Sequence, residues 1–438
     1  MPTHRFLSRM SAFGVAVPAC ALASAQATQP TCFIAHYYSL GGSVASITFD
    51  PNSGAAGLVD NAPAGIWTIS LALSPSGRFL AASNAAGSSD GFPDLEDLRI
   101  FRVNADSTLT ELLETKVPGS PLAMQWVDDR FLAILDTDLS GSTVGVYEFD
   151  EPLLTLVETD RASTGGFNAD MCADPDQRLL YTQDTNAYVI RRWGVSGSGT
   201  LAYEGQISTL GVYPLDIKRS PDGAHLYAGG GISSDRNKIL GFDINPIGSP
   251  AILSPIPGSP FISSGNSPAY LAIARDGAVL CMGHGTDATV RTFLVAPDGS
   301  LTETGFLFDI GLQGTIGDLD ALGDLLLVTD DSTATDGVQG LYVFRVGADG
   351  SLTQIGSVIS TGNTRPEGDL VIWRGLNAGC LADWDDSGGE PNSSDFLAYL
   401  NDWASNAPLA DLAPPGGDGS WDSSDFLAFL NLYALGCE

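Results

Sequence analysis

Leu71-Ala72-Leu73-Ser74-Pro75-Ser76-Gly77-Arg78-Phe79-Leu80 reads as two short apolar strands joined by a Ser-Pro-Ser-Gly turn. The pattern returns as Asp216-Ile217-Lys218-Arg219-Ser220-Pro221-Asp222-Gly223-Ala224-His225-Leu226, and in weaker form at 123–132, 171–180, 271–280 and 319–326. Taking Arg78, Arg130, Arg178, Ala224, Ala278 and Asp324 as equivalent gives spacings of 46 to 54 residues. A second segment alternates apolar and polar residues and has seven copies: 44–49, 98–103, 144–149, 189–193, 239–244, 290–295 and 341–346. A four-stranded sheet of short strands and tight turns needs roughly 40–50 residues. Such a sheet cannot bury its faces alone, so a repeated series stacks radially as a propeller. Six inner hairpins are clear, and the seventh is assigned to 368–373 paired with 32–37. Both ends of the repeat region then share one blade, and the ring closes without free edges. The reading is mainly β, a seven-bladed β-propeller over residues 32–375, with six or eight blades as alternatives.

The 438 residues carry 20 Lys and Arg against 52 Asp and Glu, a formal charge of −32, and 44% of them are hydrophobic. That apolar fraction supports a large core and excludes wholesale disorder. The charge argues against nucleic acid, since no basic stripe is present to neutralise phosphates. It permits divalent cations, which carboxylate-rich loops bind. At the N-terminus, Arg5 and Arg9 precede an apolar stretch from Met10 to Ala23 that ends in Ala23-Ser24-Ala25. This order predicts a signal peptide over 1–25, hence a secreted, cell-surface or periplasmic bacterial protein. The stretch is too short for a membrane anchor, and a lipoprotein site at Cys20 fits poorly with Pro18. No other stretch is long and apolar enough for a transmembrane segment.

Ser74-Pro-Ser-Gly-Arg-Phe-Leu80 and the segment Leu341 to Thr353 resemble the lactonase-type seven-bladed propellers, a family that includes 6-phosphogluconolactonase-like proteins. The resemblance covers about 32–375 and implies the fold far more strongly than the activity. If the activity followed, the reaction would be hydrolysis of a sugar lactone.

After Arg374 the composition changes: the last 64 residues hold nine Asp and two Glu but no Lys or Arg. Two copies of an acidic loop each feed Ser-Ser-Asp-Phe-Leu-Ala, a capped helix start. In the 12-residue calcium loop of EF-hands, oxygen ligands stand at positions 1, 3, 5, 7, 9 and 12, with Gly at 6. The first copy offers Asp383, Asp385 and Ser387, with Gly388 next, then Asn392 and, one residue late, Asp395. The second offers Asp418, Asp422 and Asp425, with Asp411 as first ligand only across an insertion. Hard oxygen donors on flexible loops favour Ca2+ over Mg2+. The segment 376–438 resembles the GC-type dockerin module of exported planctomycete-like bacterial proteins, matching from Cys380 to Cys437. The resemblance implies an anchoring or sorting role through a partner the sequence does not name. Cys380 and Cys437 bracket the duplication, and a disulfide between them would staple a domain too small for a large core.

Catalytic residues are not assigned. No His-Glu-x-x-His and no P-loop is present. His36, His225 and His284 lie in or beside predicted strands, and Cys172, Cys281 and Cys32 read as thiols rather than nucleophiles. Polar residues beside the inner strands, Asn84, Asp136, Asp184 and His284, are candidates to line the central channel, against the plainer reading of strand-end hydrogen bonds. Arg99, Arg191 and Arg291 are expected on exposed outer faces. Two functions follow: a displayed propeller that binds a protein or small molecule, or an exported lactonase. The few basic residues disfavour a phosphorylated substrate.

Overall fold

A computed structural model describes residues 30–37, 41–85, 98–138, 141–168, 170–231, 236–311, 315–331, 340–363, 365–373, 393–404 and 423–435. The described strands form seven antiparallel sheets of four strands each, one carrying a fifth short strand. Blade 1 joins Leu370–Trp373 to Thr31–His36, Gly42–Phe49 and Ala56–Gly65. Thr31 stands opposite Trp373 and Ile34 opposite Leu370, so the two ends of the repeat region share this blade as the sequence predicts. Blades 2 to 7 open with the innermost strands Thr68–Leu73, Ser120–Trp126, Met171–Asp174, Pro214–Arg219, Pro268–Ala274 and Ile316–Leu322. Each innermost strand packs against the next, and Leu370–Trp373 packs against both Thr68–Leu73 and Ile316–Leu322. The ring is closed, and its seven blades match the repeat count. All seven alternating segments are third strands of their blades.

The core lies between blades. Ala72, Phe79 and Ile100 of blade 2 meet Met124, Trp126 and Phe149 of blade 3 in one buried cluster. Two buried indoles also bond across blades: Trp126 Nε1 donates to the Ala72 carbonyl and Trp373 Nε1 to the Gly77 carbonyl, each at 3.0 Å. Burial of such side chains contributes on the order of 2–3 kcal/mol each, and the N–H finds its partner rather than being stranded.

Cys32, Cys172 and Cys281 are buried free thiols. Burial holds all three above the usual thiol range, Cys281 at about 12, so none is poised as a thiolate nucleophile. Cys380 and Cys437 lie outside the described residues.

Both Ser-Ser-Asp-Phe-Leu-Ala copies start helices: α1, Ser393–Ala404, and α2, Ser423–Leu435. They pack through Tyr399 and Phe429, whose rings stack at 3.9 Å and 4°. Phe396, Trp403, Phe426 and Tyr433 surround that pair. Among the described residues no helix is long and apolar enough to cross a membrane.

Candidate functional site

The four residues expected over the channel instead lie at the ends of the second strands of their blades, Asp136 two residues before its end, where local hydrogen bonds consume them. Asn84 Oδ1 accepts from Thr68 Oγ1 at 3.2 Å. Asp136 accepts from Thr143 Oγ1 at 2.9 Å and from Arg161. Asp184 accepts from the backbone N–H groups of Gly166, Asn186 and Ala187 and from Arg191, all within 2.9–3.1 Å. A Cβ on Gly165, at φ +99°, would lie 2.3 Å from that carboxylate, so this close approach needs glycine. His284 Nδ1 donates to the Thr289 carbonyl, leaving Nε2 to accept from Ser263 Oγ at 2.7 Å. His36 ends its strand in the same way, between Thr361 and Ser43. Burial lowers both histidines to about 4, so they stand neutral.

Arg99, Arg191 and Arg291 are not on exposed faces: each side chain is only 15% accessible. The third strand lies beneath acidic groups, and the guanidinium heads pair with Glu111 and Glu114, with Asp184, and with Glu303 respectively. His225 pairs with Asp243 at 3.0 Å, also away from the channel lining.

The channel itself is lined by residues that the sequence reading passed over. A cavity of about 230 Å³ takes lining residues from all seven blades, among them Ser70, Gln125, Asp170, Asp216, Lys218, Tyr270, Asp318, Glu367 and Asp369. Hairpin register makes Ser70, Ala123, Asp216, Tyr270 and Asp318 equivalent, and Asp170 and Asp369 precede Met171 and Leu370 at the same place. Aspartate fills four of these seven positions. Each one staples its blade to the next. Asp170 accepts from Ile217 N–H at 3.1 Å, Asp216 from Leu271 N–H at 2.5 Å, and Asp318 from Leu370 N–H at 2.8 Å. Asp369 accepts from Leu71 N–H at 2.9 Å and Ser70 Oγ at 2.8 Å.

Lys218 lies two residues beyond Asp216 on the same strand face, with Nζ 3.8 Å from Asp216 Oδ1. Protein surrounds it, yet 40% of its side chain meets solvent, so the channel admits water. The nearby Asp216 carboxylate, outweighing burial, holds the ammonium well above the usual lysine range. Burial raises Asp170 well above the carboxylate range, and the charge of Asp216 adds to it. Burial also raises Asp318 and Asp369. Five carboxyl groups therefore face one cation in the lining. Asp216 thus stands between Lys218 and the Asp170 carboxyl, which keeps its proton and hydrogen-bonds to it.

The signal for this site was present in the quoted repeat: Asp216 and Lys218 are charged residues inside an innermost strand, where apolar residues pack. Of the expected calcium ligands, Asp395 and Asp425 are the third residues of α1 and α2. Asp425 is buried, and its charge adds to the burial that pushes Tyr399 up to about 12. Asp383, Asp385, Ser387, Asn392, Asp411, Asp418 and Asp422 lie outside the described residues. Among the described residues no three His, Cys, Asp or Glu side chains are grouped to hold a metal ion.

Solved structures share this architecture. A putative 6-phosphogluconolactonase from Bacteroides fragilis is similar at TM-score 0.64 and 17% identity, covering 80% of this chain and 99% of its own. One from Bacteroides uniformis is similar at TM-score 0.63 and 16% identity, covering 79% of this chain and 100% of its own. The periplasmic gluconolactonase PpgL of Pseudomonas aeruginosa gives TM-score 0.63 and 18% identity, covering 78% of this chain and 98% of its own. The chain thus has the lactonase-like seven-bladed propeller fold, and identities this low speak for fold alone. No family model matches the chain, and no curated protein matches it.

Proposed function

We propose that this protein is an exported propeller that binds a small ligand in its central channel and is displayed through a calcium-binding, dockerin-type C-terminal module. The observation that carries the binding role is the channel cavity of about 230 Å³, lined from all seven blades, with the Asp216–Lys218 pair in its wall. A phosphorylated ligand fits badly, because the one lining cation already faces Asp216. The signal segment and the acidic duplicated tail support display, with an envelope component as the anchoring partner. Asp383, Asp385, Ser387, Asn392 and Asp395 would hold one Ca2+, and Asp411, Asp418, Asp422 and Asp425 the other.

Lactone hydrolysis is the second reading. Lys218, held cationic beside the cavity, could steady an oxyanion, while Asp216 Oδ1 faced an attacking water. The test is to follow glucono-δ-lactone by calorimetry and by proton release. Binding without turnover supports the platform. Turnover that is lost in Asp216→Asn would replace it with the hydrolase. Titration of Ca2+ into the metal-free mature chain checks the tail: two sites are expected, and no binding sinks the calcium module.

A further inference from the structure

We propose that the Asp170 carboxyl is a two-position proton switch in the channel wall: protonated, it latches blade 4 onto Asp216 of blade 5; ionised, it turns to the buried amide of Gln183. The switch goes beyond the channel-binding reading and does not depend on it. Asp170 lies where two blades meet. Its carboxyl accepts from the Ile217 N–H of blade 5 at 3.1 Å and hydrogen-bonds to the Asp216 side chain. Asp216 in turn accepts from the Leu271 N–H of blade 6. Two carboxyl groups in hydrogen-bond contact share a proton, because two anions at that distance repel. Burial places the proton on Asp170, so its O–H donates and the Asp216 carboxylate accepts. Lys218, 3.8 Å from Asp216 Oδ1, balances the one negative charge that remains.

The second position comes from the hairpin of blade 4. In blades 2, 3, 5, 6 and 7 the ladder between the first two strands resumes above the ring position, at pairs such as Pro214 with Gly230 and Pro268 with His284. In blade 4 it ends at Met171 opposite Thr182, which leaves Asp170 just outside the ladder. Its equivalent Asp216 is paired within the ladder, opposite Gly229. Continuing the blade 4 register by one residue sets Gln183 across from Asp170, on the face that Tyr181 turns toward Ile217 and Leu226 of blade 5. Gln183 is 0% exposed, and neither its Oε1 nor its Nε2 has a hydrogen-bond partner. Across from the ring positions of blades 5 and 6 stand Gly229 and Gly283, which offer no side-chain partner. An amide N–H is the donor that an ionised Asp170 needs once Asp216 repels it. The charged groups around Asp170 are Asp216 and Lys218 of blade 5, with Asp318, Glu367 and Asp369 across the ring. Lys218 favours the ionised form and the carboxyl groups oppose it. On its own blade Cys172 and Tyr181 stay neutral, Asp184 is consumed by Arg191, and Asp174 pairs with Arg219. The innermost strand of blade 3, Ser120–Trp126, brings no charge. The released proton leaves through the channel, which water reaches at Lys218.

Infrared difference spectroscopy and peptide-resolved hydrogen exchange on the full mature chain, followed from about pH 5 to about pH 10, test the switch. A protonated-carboxyl band is expected to persist at neutral pH and to lose one component in Asp170→Asn. In the native chain that component vanishes in one step as pH rises. At the same step the protection of the Ile217 N–H, corrected for the intrinsic exchange rate, should fall at least tenfold. Asp170→Asn carries a permanent N–H for Asp216 and an oxygen for Ile217, so protection there should stay constant across the range. Gln183→Leu removes the second position and should move the step up by about one pH unit, a tenfold rise in proton affinity. Thermal unfolding checks that both variants are folded, and Gln183→Met takes the place of the leucine variant if that one is not. Any one of three results overturns the proposal: a carboxyl band that Asp170→Asn leaves intact, Ile217 protection that ignores the step, or a step that stays in place without Gln183.

Discussion

Strand-end corners and the channel ring are both built from polar residues at equivalent places in successive blades, yet they are satisfied very differently. At a corner such as Asp184, three backbone N–H groups and a guanidinium saturate one carboxylate. In the ring each aspartate spends one oxygen on the neighbouring blade, and the four, with Glu367, share one lysine. The difference teaches that polarity next to a channel does not mark a site. Saturated groups maintain the fold, whereas capacity left over in a cavity that water reaches is what a ligand can use.

The largest expected effect breaks a corner. Asp184→Ala strands a mostly buried Arg191 and several N–H groups and should cost about 3–5 kcal/mol in urea unfolding at pH 7. Asp216→Asn in the ring retains its staple and should change stability by no more than about 1 kcal/mol. If the two lose stability equally, the distinction between corner and ring fails.

Acid gives the next effect. His36 and His284 have folded values of about 4, below the ordinary imidazole value of 6.5, so the native state favours their neutral forms. Their contribution is complete above pH 6.5 and is lost as pH falls toward 4, by up to about 3 kcal/mol each. Denaturation curves across that window should flatten in His36→Gln and His284→Gln.

The ring aspartates should titrate with the opposite sign. Asp170 and Asp318 sit above their unfolded values, so the native state holds protons that the unfolded chain releases, and stability falls as pH rises above about 4. Asp318→Asn keeps an acceptor for Leu370 N–H and should raise the midpoint of unfolding at pH 8. A loss at pH 8 would show that the carboxylate is ionised and needed there. The smallest effect is expected at Arg99, whose partners Glu111 and Glu114 are 45% and 38% accessible. Arg99→Met should cost less than about 1 kcal/mol, measured in the same unfolding assay.

The sequence by itself determined the period, the turn chemistry and the blade count. Strand length, Pro-Ser-Gly or Pro-Asp-Gly turns and apolar alternation act within some 50 residues, and local rules read them. It also placed the helix starts at Ser393 and Ser423, through capping residues followed by recurring aromatics. It did not place the arginines correctly, because the exposure of Arg99 or Arg291 depends on which glutamates the adjacent strand brings over it. Nor did it reveal the ring. Asp170, Asp216, Asp318 and Asp369 are spread over 200 residues, and apart from Asp216, with Lys218 beside it, each looks like an ordinary polar residue at a strand start. Only closure of seven sheets around one axis puts them on a common wall, where low dielectric and mutual repulsion change their chemistry.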